Sequence, residues 1–220
     1  GVFNVALNNG STWNTVNDSN IDTLTVNNGS KVNVAQSSLL SDTIALTNGS
    51  SLNIGDEGYV ATDHLTVNSY STVNLTSDDT TDSYGAYTPS LYANTITVTN
   101  GGLLNVNVDE FDINPFKTDT LELTSGNIAD NKGHHVVSGV FNINSSNYVL
   151  DADLVNDRTN DKTKANYGYG VIAMNSDGHL TVNGNGDING GNELDNSATD
   201  DVTAAKGNYK VRIDNSTGAG

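Results

Sequence analysis

The chain has no cysteine, two prolines and only nine basic residues among 220. Without cysteine no disulfide can staple it, so stability has to come from strand ladders and packing. The bases are scarcest in the first half. Lys31 is the only one before Lys117, against twelve Asp and Glu in residues 1–116. Phosphate contacts need clustered Lys and Arg, so that half is not expected to bind nucleic acid. The same charge repels anionic lipid. Arg158, Lys162 and Lys164 form a small local exception. No signal-peptide pattern, spanning segment or basic tail is visible, and the abrupt, repeat-like ends suggest a fragment of something longer.

What the chain has in abundance is Asn (34 residues) and Gly (22), with a net charge of -17. Low hydrophobicity with high net charge is a signature of disorder, but here the apolar residues are too regularly placed. Four copies of one frame put them at offsets 0, 2, 8 and 10: Leu24/Val26/Val32/Val34, Ile44/Leu46/Leu52/Ile54, Leu65/Val67/Val73/Leu75 and Ile96/Val98/Leu104/Val106. A looser first copy is Val5/Leu7/Trp13 with Thr15 in the last slot. The spacing near 20 residues is that of stacked coils.

An offset of two places both apolar side chains on one face of an extended strand. Between the two pairs of a copy lies a polar turn: Asn8-Asn9-Gly10-Ser11, Asn27-Asn28-Gly29-Ser30, Thr47-Asn48-Gly49-Ser50 and Thr99-Asn100-Gly101-Gly102. Asn-Gly tolerates positive φ at both residues. Asn68-Ser69-Tyr70-Ser71 departs from it, so another turn geometry is expected there. Antiparallel hairpins in a sandwich are the bland alternative, but sandwich strands vary in length whereas this frame is fixed. A leucine-rich repeat is rejected because the second half of each unit reads as a strand and helix formers are scarce. The reading is all-β: a parallel β-helix of about 20 residues per coil, each strand stacking on its counterpart roughly 4.8 Å along the axis.

Breaks in the frame divide the chain. Residues 77–92 read as a corner insertion and 151–169 as a second. Leu121/Leu123 and Phe141/Ile143/Val149 keep parts of the frame, again 20 apart, and Leu180/Val182/Ile188 restores it. Residues 190–207 are a polar excursion, and Tyr209-Lys-Val211-Arg-Ile213 closes with an alternating strand.

The units Leu24-Thr-Val-Asn-Asn-Gly-Ser30 and Ile44-Ala-Leu-Thr-Asn-Gly-Ser-Ser-Leu-Asn-Ile54 resemble the passenger coils of classical autotransporter adhesins of the AIDA, antigen-43 and pertactin type, and the segment from Gly178-His-Leu-Thr-Val182 to Tyr209-Lys-Val-Arg-Ile-Asp-Asn-Ser-Thr-Gly218 is similar to the end of their passengers. The resemblance implies a right-handed parallel β-helix exported across the outer membrane by a C-terminal barrel of its own parent chain. It places the protein at the bacterial cell surface or in the medium. It also implies a division into stalk coils over 1–129 and terminal coils with an autochaperone cap over 130–220. The implied role is adhesion, self-aggregation and biofilm formation, with another copy on a neighbouring cell, or a host surface protein or glycan, as partner. No catalytic role and no cofactor follow from it.

Candidate contact residues lie in the insertions. Asp78, Asp79 and Asp82 resemble neither an EF-hand nor a nonapeptide calcium repeat, and a solvated acidic loop is the expectation. Tyr84, Tyr87 and Tyr92 beside them suit a protein or glycan contact. Arg158, Lys162 and Tyr167 mark the second insertion in the same way. His134 and His135 are adjacent and would point to opposite faces of a strand, so no metal site is expected there. Thr23, Thr25, Thr43 and Thr66 are expected on an outer face, where the antigen-43 resemblance suggests side-by-side pairing of two β-helices. A carbohydrate-active β-helix enzyme, either a polysaccharide lyase or a glycosidase, and a glycan-binding module are the alternatives. Lyases need bases that the acidic half lacks, and paired carboxylates would arise by chance on neighbouring coils.

Overall fold

Each copy of the frame contributes two strands to two separate parallel sheets. The structure, a computed structural model, describes residues 1–77, 89–107, 116–130, 133–144, 147–155, 171–174, 179–183 and 202–204; side chains are described for 1–77, 89–107, 116–124, 139–143, 150 and 152. Among these residues, one sheet contains β1 (Asn4–Leu7), β3 (Ser19–Val26), β5 (Ser38–Leu46), β7 (Tyr59–Val67), β9 (Ser90–Val98), β11 (Phe116–Leu123) and β16 (Asp153–Val155). The other contains β2 (Thr12–Asn14), β4 (Lys31–Val34), β6 (Ser51–Ile54), β8 (Thr72–Thr76), β10 (Leu103–Asn107), β14 (Val140–Asn144) and β17 (Val171–Met174). Every pairing in both is parallel and joins equivalent slots: Leu24 to Ile44 to Leu65 to Ile96 to Leu121, and Val32 to Leu52 to Val73 to Leu104 to Phe141. The looser first copy holds as well, with Val5, Leu7 and Trp13 paired to Leu24, Val26 and Val32. The fold is an all-β, solenoid-like stack.

The core is a column of apolar rungs between the two sheets, fully buried from Leu24 to Ile143. It contains one row that the frame does not include. Leu39, Val60, Leu91 and Phe116 stack in register five residues before slot 0. They belong because the strands of the first sheet begin earlier than the frame and bend. In β5 the residues at 42 and 43 both face outward, and pairing skips Asp42 while joining Ser41 to Thr62 and Thr43 to His64. The same skip falls at Asp22, Asp63, Asn94 and Asp119.

Several expectations need correction. Ser69 and Tyr70 have φ of 50° and 60°, in the left-handed region like Asn28 at 53° and Gly29 at 71°. That corner therefore keeps the φ signs of its neighbours. The stack imposes this: Gly49 N–H donates to Ser69 O (2.9 Å) and Tyr70 N–H to Asn100 O (3.1 Å). These bonds offset the cost of positive φ for residues with a Cβ. Leu121/Leu123 and Phe141/Ile143 are not successive copies 20 apart. They are slots 0/2 and 8/10 of one coil, since the first pair stacks on Ile96/Val98 and the second on Leu104/Val106. The added length is an antiparallel hairpin of β12 (Ser125–Asp130) and β13 (Gly133–Ser138), which stands where other coils have Asn-Gly. Its base keeps the turn's bonding: Thr124 N–H donates to Val98 O and Gly139 N–H to Thr124 O, as Thr99 does to Val67 O and Gly102 to Thr99 O.

Val149 and Leu180/Val182 also leave the main stack. They lie on β15 (Asn147–Asp151) and β18 (His179–Asn183), which form a separate three-stranded parallel sheet with β19 (Val202–Ala204). Ile188 lies outside the described residues. The insertions are shorter than expected: residues 90–92 belong to β9 and 153–155 to β16.

Candidate functional site

Two outer rows of the stack differ in chemistry although both repeat once per coil. On the second sheet, slot 9 is Asn in six consecutive coils. Each side-chain amide donates to the Oδ1 of the coil before: Asn33 to Asn14 (2.7 Å), Asn53 to Asn33 (2.8 Å), Asn74 to Asn53 (2.8 Å), Asn105 to Asn74 (2.7 Å) and Asn142 to Asn105 (2.7 Å). Two further amide pairs, Asn48 to Asn27 and Asn100 to Asn68, both at 2.8 Å, run beside the turns. An amide has both donor and acceptor, so identical side chains can stack as a hydrogen-bonded chain.

The bend in the first sheet is the other row. Its inner side is held by buried hydroxyls. Thr62 Oγ1 lies 3.3 Å from His64 O and 3.2 Å from Asp42 O; Ser41 and Thr118 make the same two contacts in their coils. Each hydroxyl has one proton and donates to one of its two carbonyls at a time; either bond spares the buried hydroxyl the cost of going unpaired. The outer side carries Asp42, Asp63, Asn94 and Asp119 in line along the axis. Asn94 Nδ2 donates to Asp63 Oδ1 at 2.9 Å.

Because the bend is concave outward, this acidic line forms one wall of a groove of about 520 Å³. The opposite wall is the register row Asn20, Leu40, Ala61, Tyr92 and Lys117, and the floor is the strand at Ser41, Thr62 and Ala93. Leu40 and Tyr92 are 38% and 37% exposed. The Tyr92 ring is braced edge-on by Tyr59, with centroids 5.5 Å apart at 88°. This groove is the candidate site.

Of the expected site residues that are described, Tyr92 reaches the groove, as a strand residue and not part of a loop. Asp78, Asp79, Asp82, Tyr84 and Tyr87, and likewise Arg158, Lys162 and Tyr167, lie outside the described residues. Thr23 and Thr43 are paired in one outer row of the first sheet, and Thr25 and Thr66 flank Ala45 in another; all four are half-buried. His134 and His135 fall on β13, opposite Ala129 and Ile128. Among the described residues no group of three or more His, Cys, Asp or Glu is placed to hold a metal ion.

The groove residues Asp42, Asp63, Asn94, Asp119 and Leu40 were not singled out in the sequence. A signal was present: Asp or Asn stands two residues before slot 0 at 22, 42, 63, 94 and 119. Extending the frame backward would have found the line, though not that it faces an apolar wall.

No family model matches the chain, and no solved structure matches it. It is 71% identical over its whole length to the uncharacterized protein YaiT of Escherichia coli (strain K12). It is 72% identical over its whole length to the uncharacterized protein YaiT of Salmonella typhimurium (strain LT2). The chain spans 22% of the length of each of these relatives, so it is similar to one portion of a much longer protein.

Proposed function

We propose that the chain is a section of a surface-exposed passenger, a right-handed parallel β-helix that acts as the stalk of an autotransporter adhesin. The observation that carries this reading is the unbroken in-register stack from β1 to β16, an elongated body with a core one rung wide. Such a body has much outer face and little interior, which suits reach and lateral contact. The right hand follows from the strong preference of parallel strand connections for right-handed crossovers. Asn ladders in place of disulfides fit a chain that folds coil by coil after export, with residues 130–220 as the folding cap. The rows Thr23/Thr43 and Thr25/Thr66 are the proposed face for pairing with a copy on a neighbouring cell; a host protein or glycan is the other class of partner.

The test is to display a full-length relative on a non-aggregating bacterial cell, then delete in frame the segment matching β3 to β10. Retained export with loss of aggregation or of adhesion to host matrix is the expected result. Unchanged aggregation and adhesion, or a protein that protease added outside intact cells never reaches, would remove the reading.

One observation favours a carbohydrate-active alternative. Asp42 and Asp63 line one groove from adjacent strands, and two carboxyl groups in a cleft are what glycoside hydrolysis uses. Hydrolysis of neutral polysaccharides that is lost in Asp42→Asn would support it.

A further inference from the structure

We propose that the groove along the bend binds an extended basic peptide segment of another protein, one whose side chains alternate between basic and apolar. This rests on the groove alone and not on the adhesin reading.

The two walls decide the class of ligand. One presents Asp42, Asp63 and Asp119; the other presents Leu40, Ala61 and Tyr92. In an extended peptide successive side chains point to opposite sides. A peptide lying along the axis therefore offers one face to each wall, and alternation of basic with apolar residues matches both. From Asn20 to Lys117 the groove crosses four coil steps. At about 4.8 Å per step it is roughly 19 Å long, room for five or six residues at about 3.4 Å each.

The exposed apolar wall is an observation independent of the acids. Outside the first coil, the exposed large apolar residues among those described are Leu40, Tyr70 and Tyr92, and two of the three lie in this groove. The bracing of Tyr92 by Tyr59 lowers the entropy cost of using that ring as a contact. The floor strands already spend their main-chain groups on their own ladder. Recognition therefore falls to side chains and not to strand addition.

The segments that precede the groove strands are poor occupants. The segments 78–88 and 108–115, which lead into β9 and β11, contribute six acids and no base. The most basic stretch, Lys206 to Arg212, has three bases and no acid, and Tyr209-Lys-Val-Arg-Ile213 alternates basic with apolar residues. A foreign segment of that pattern complements both walls, and failure of such an added peptide to bind would overturn the proposal in favour of this stretch of the chain. Attraction to the carboxylates would speed its association.

The experiment measures fluorescence anisotropy of a labelled Lys-Val-Lys-Val-Lys-Val peptide with the 220-residue chain. A Lys-Lys-Lys-Val-Val-Val peptide of equal composition, a Glu-Val repeat and a neutral β-linked glucose hexamer serve as competitors. The alternating peptide is expected to bind at least about fivefold more tightly than the block peptide. The Glu-Val repeat and the sugar should not compete. Asp42→Asn with Asp63→Asn should weaken binding about tenfold, as should a rise in ionic strength from about 0.1 M to about 1 M. Tyr92→Ala should weaken it several-fold. Lys117→Glu should strengthen it, a gain that misfolding cannot mimic. Equal binding of the block peptide, indifference to the Asp changes, weakening by Lys117→Glu, or displacement of the peptide by the sugar would each overturn the proposal.

Discussion

The second sheet's outer row and the bend of the first sheet are built on the same repeat, yet one is chemically closed and the other open. In both, each residue stacks on its counterpart one coil away. Along the sheet the counterpart is Asn, and amide donates to amide through six coils. Along the bend it is mostly Asp, an acceptor only when ionised. Asp42 stacks on Asp63, and only where Asn94 interrupts the line does a side-chain donor appear within it. Stacking like on like therefore saturates a row of amides and leaves a row of carboxylates seeking donors. The first row stabilises the rod. The second is free to recognise something, and the apolar wall across from it restricts what that can be.

Changes at four positions separate the two regions, taken from the largest expected effect to the smallest. Leu65→Ala removes a fully buried rung beneath both and should cost about 3 kcal/mol, read as a lower urea midpoint; it sets the scale for the rest. Thr62→Val strips the hydroxyl whose one proton reaches either of two carbonyls under the bend and should cost about 2 kcal/mol. Thr62→Ser should be nearly neutral, because Ser41 fills the same slot in the adjacent coil. Equal losses for the two would show that packing and not the hydroxyl holds the bend. Asn53→Ala breaks the ladder at a residue that donates to Asn33 and accepts from Asn74, and should cost about 1 kcal/mol in the same assay. A loss no greater than that of an isolated surface Asn→Ala would mean the ladder is ornamental. Asp63→Asn keeps the acceptor for Asn94 and removes one of two stacked charges. It should raise the thermal midpoint slightly, by an amount that disappears near 1 M salt. A fall in that midpoint at low salt would contradict the picture of an unsaturated acidic wall.

Much of the coil was legible. Apolar residues at 0, 2, 8 and 10 can be buried together only if the two pairs lie on facing strands, and Asn28-Gly29 is suited to the turn between them. The turn at Ser69-Tyr70 was not legible, because its conformation comes from hydrogen bonds with the coils on either side and not from its own preferences. The hairpin was not legible either. Its insertion widened the gap from Leu121 to Phe141 to 20 residues, the length of a whole coil. The groove was half legible. The line at 22, 42, 63, 94 and 119 can be read in the sequence once the frame is extended backward. That Leu40 and Tyr92, two residues ahead of Asp42 and Asn94, stand across a concave surface from it depends on the direction of a bend.

The sequence by itself therefore determined the period, the inward face and the parallel stack, because side-chain alternation and left-handed turn residues act locally and recur. Tertiary structure alone decided which outward rows became self-satisfied and which became a groove. Those outcomes depend on how strands 19 to 37 residues apart align their side chains, and on a bend held by hydroxyls that bond to the carbonyl of a neighbouring coil.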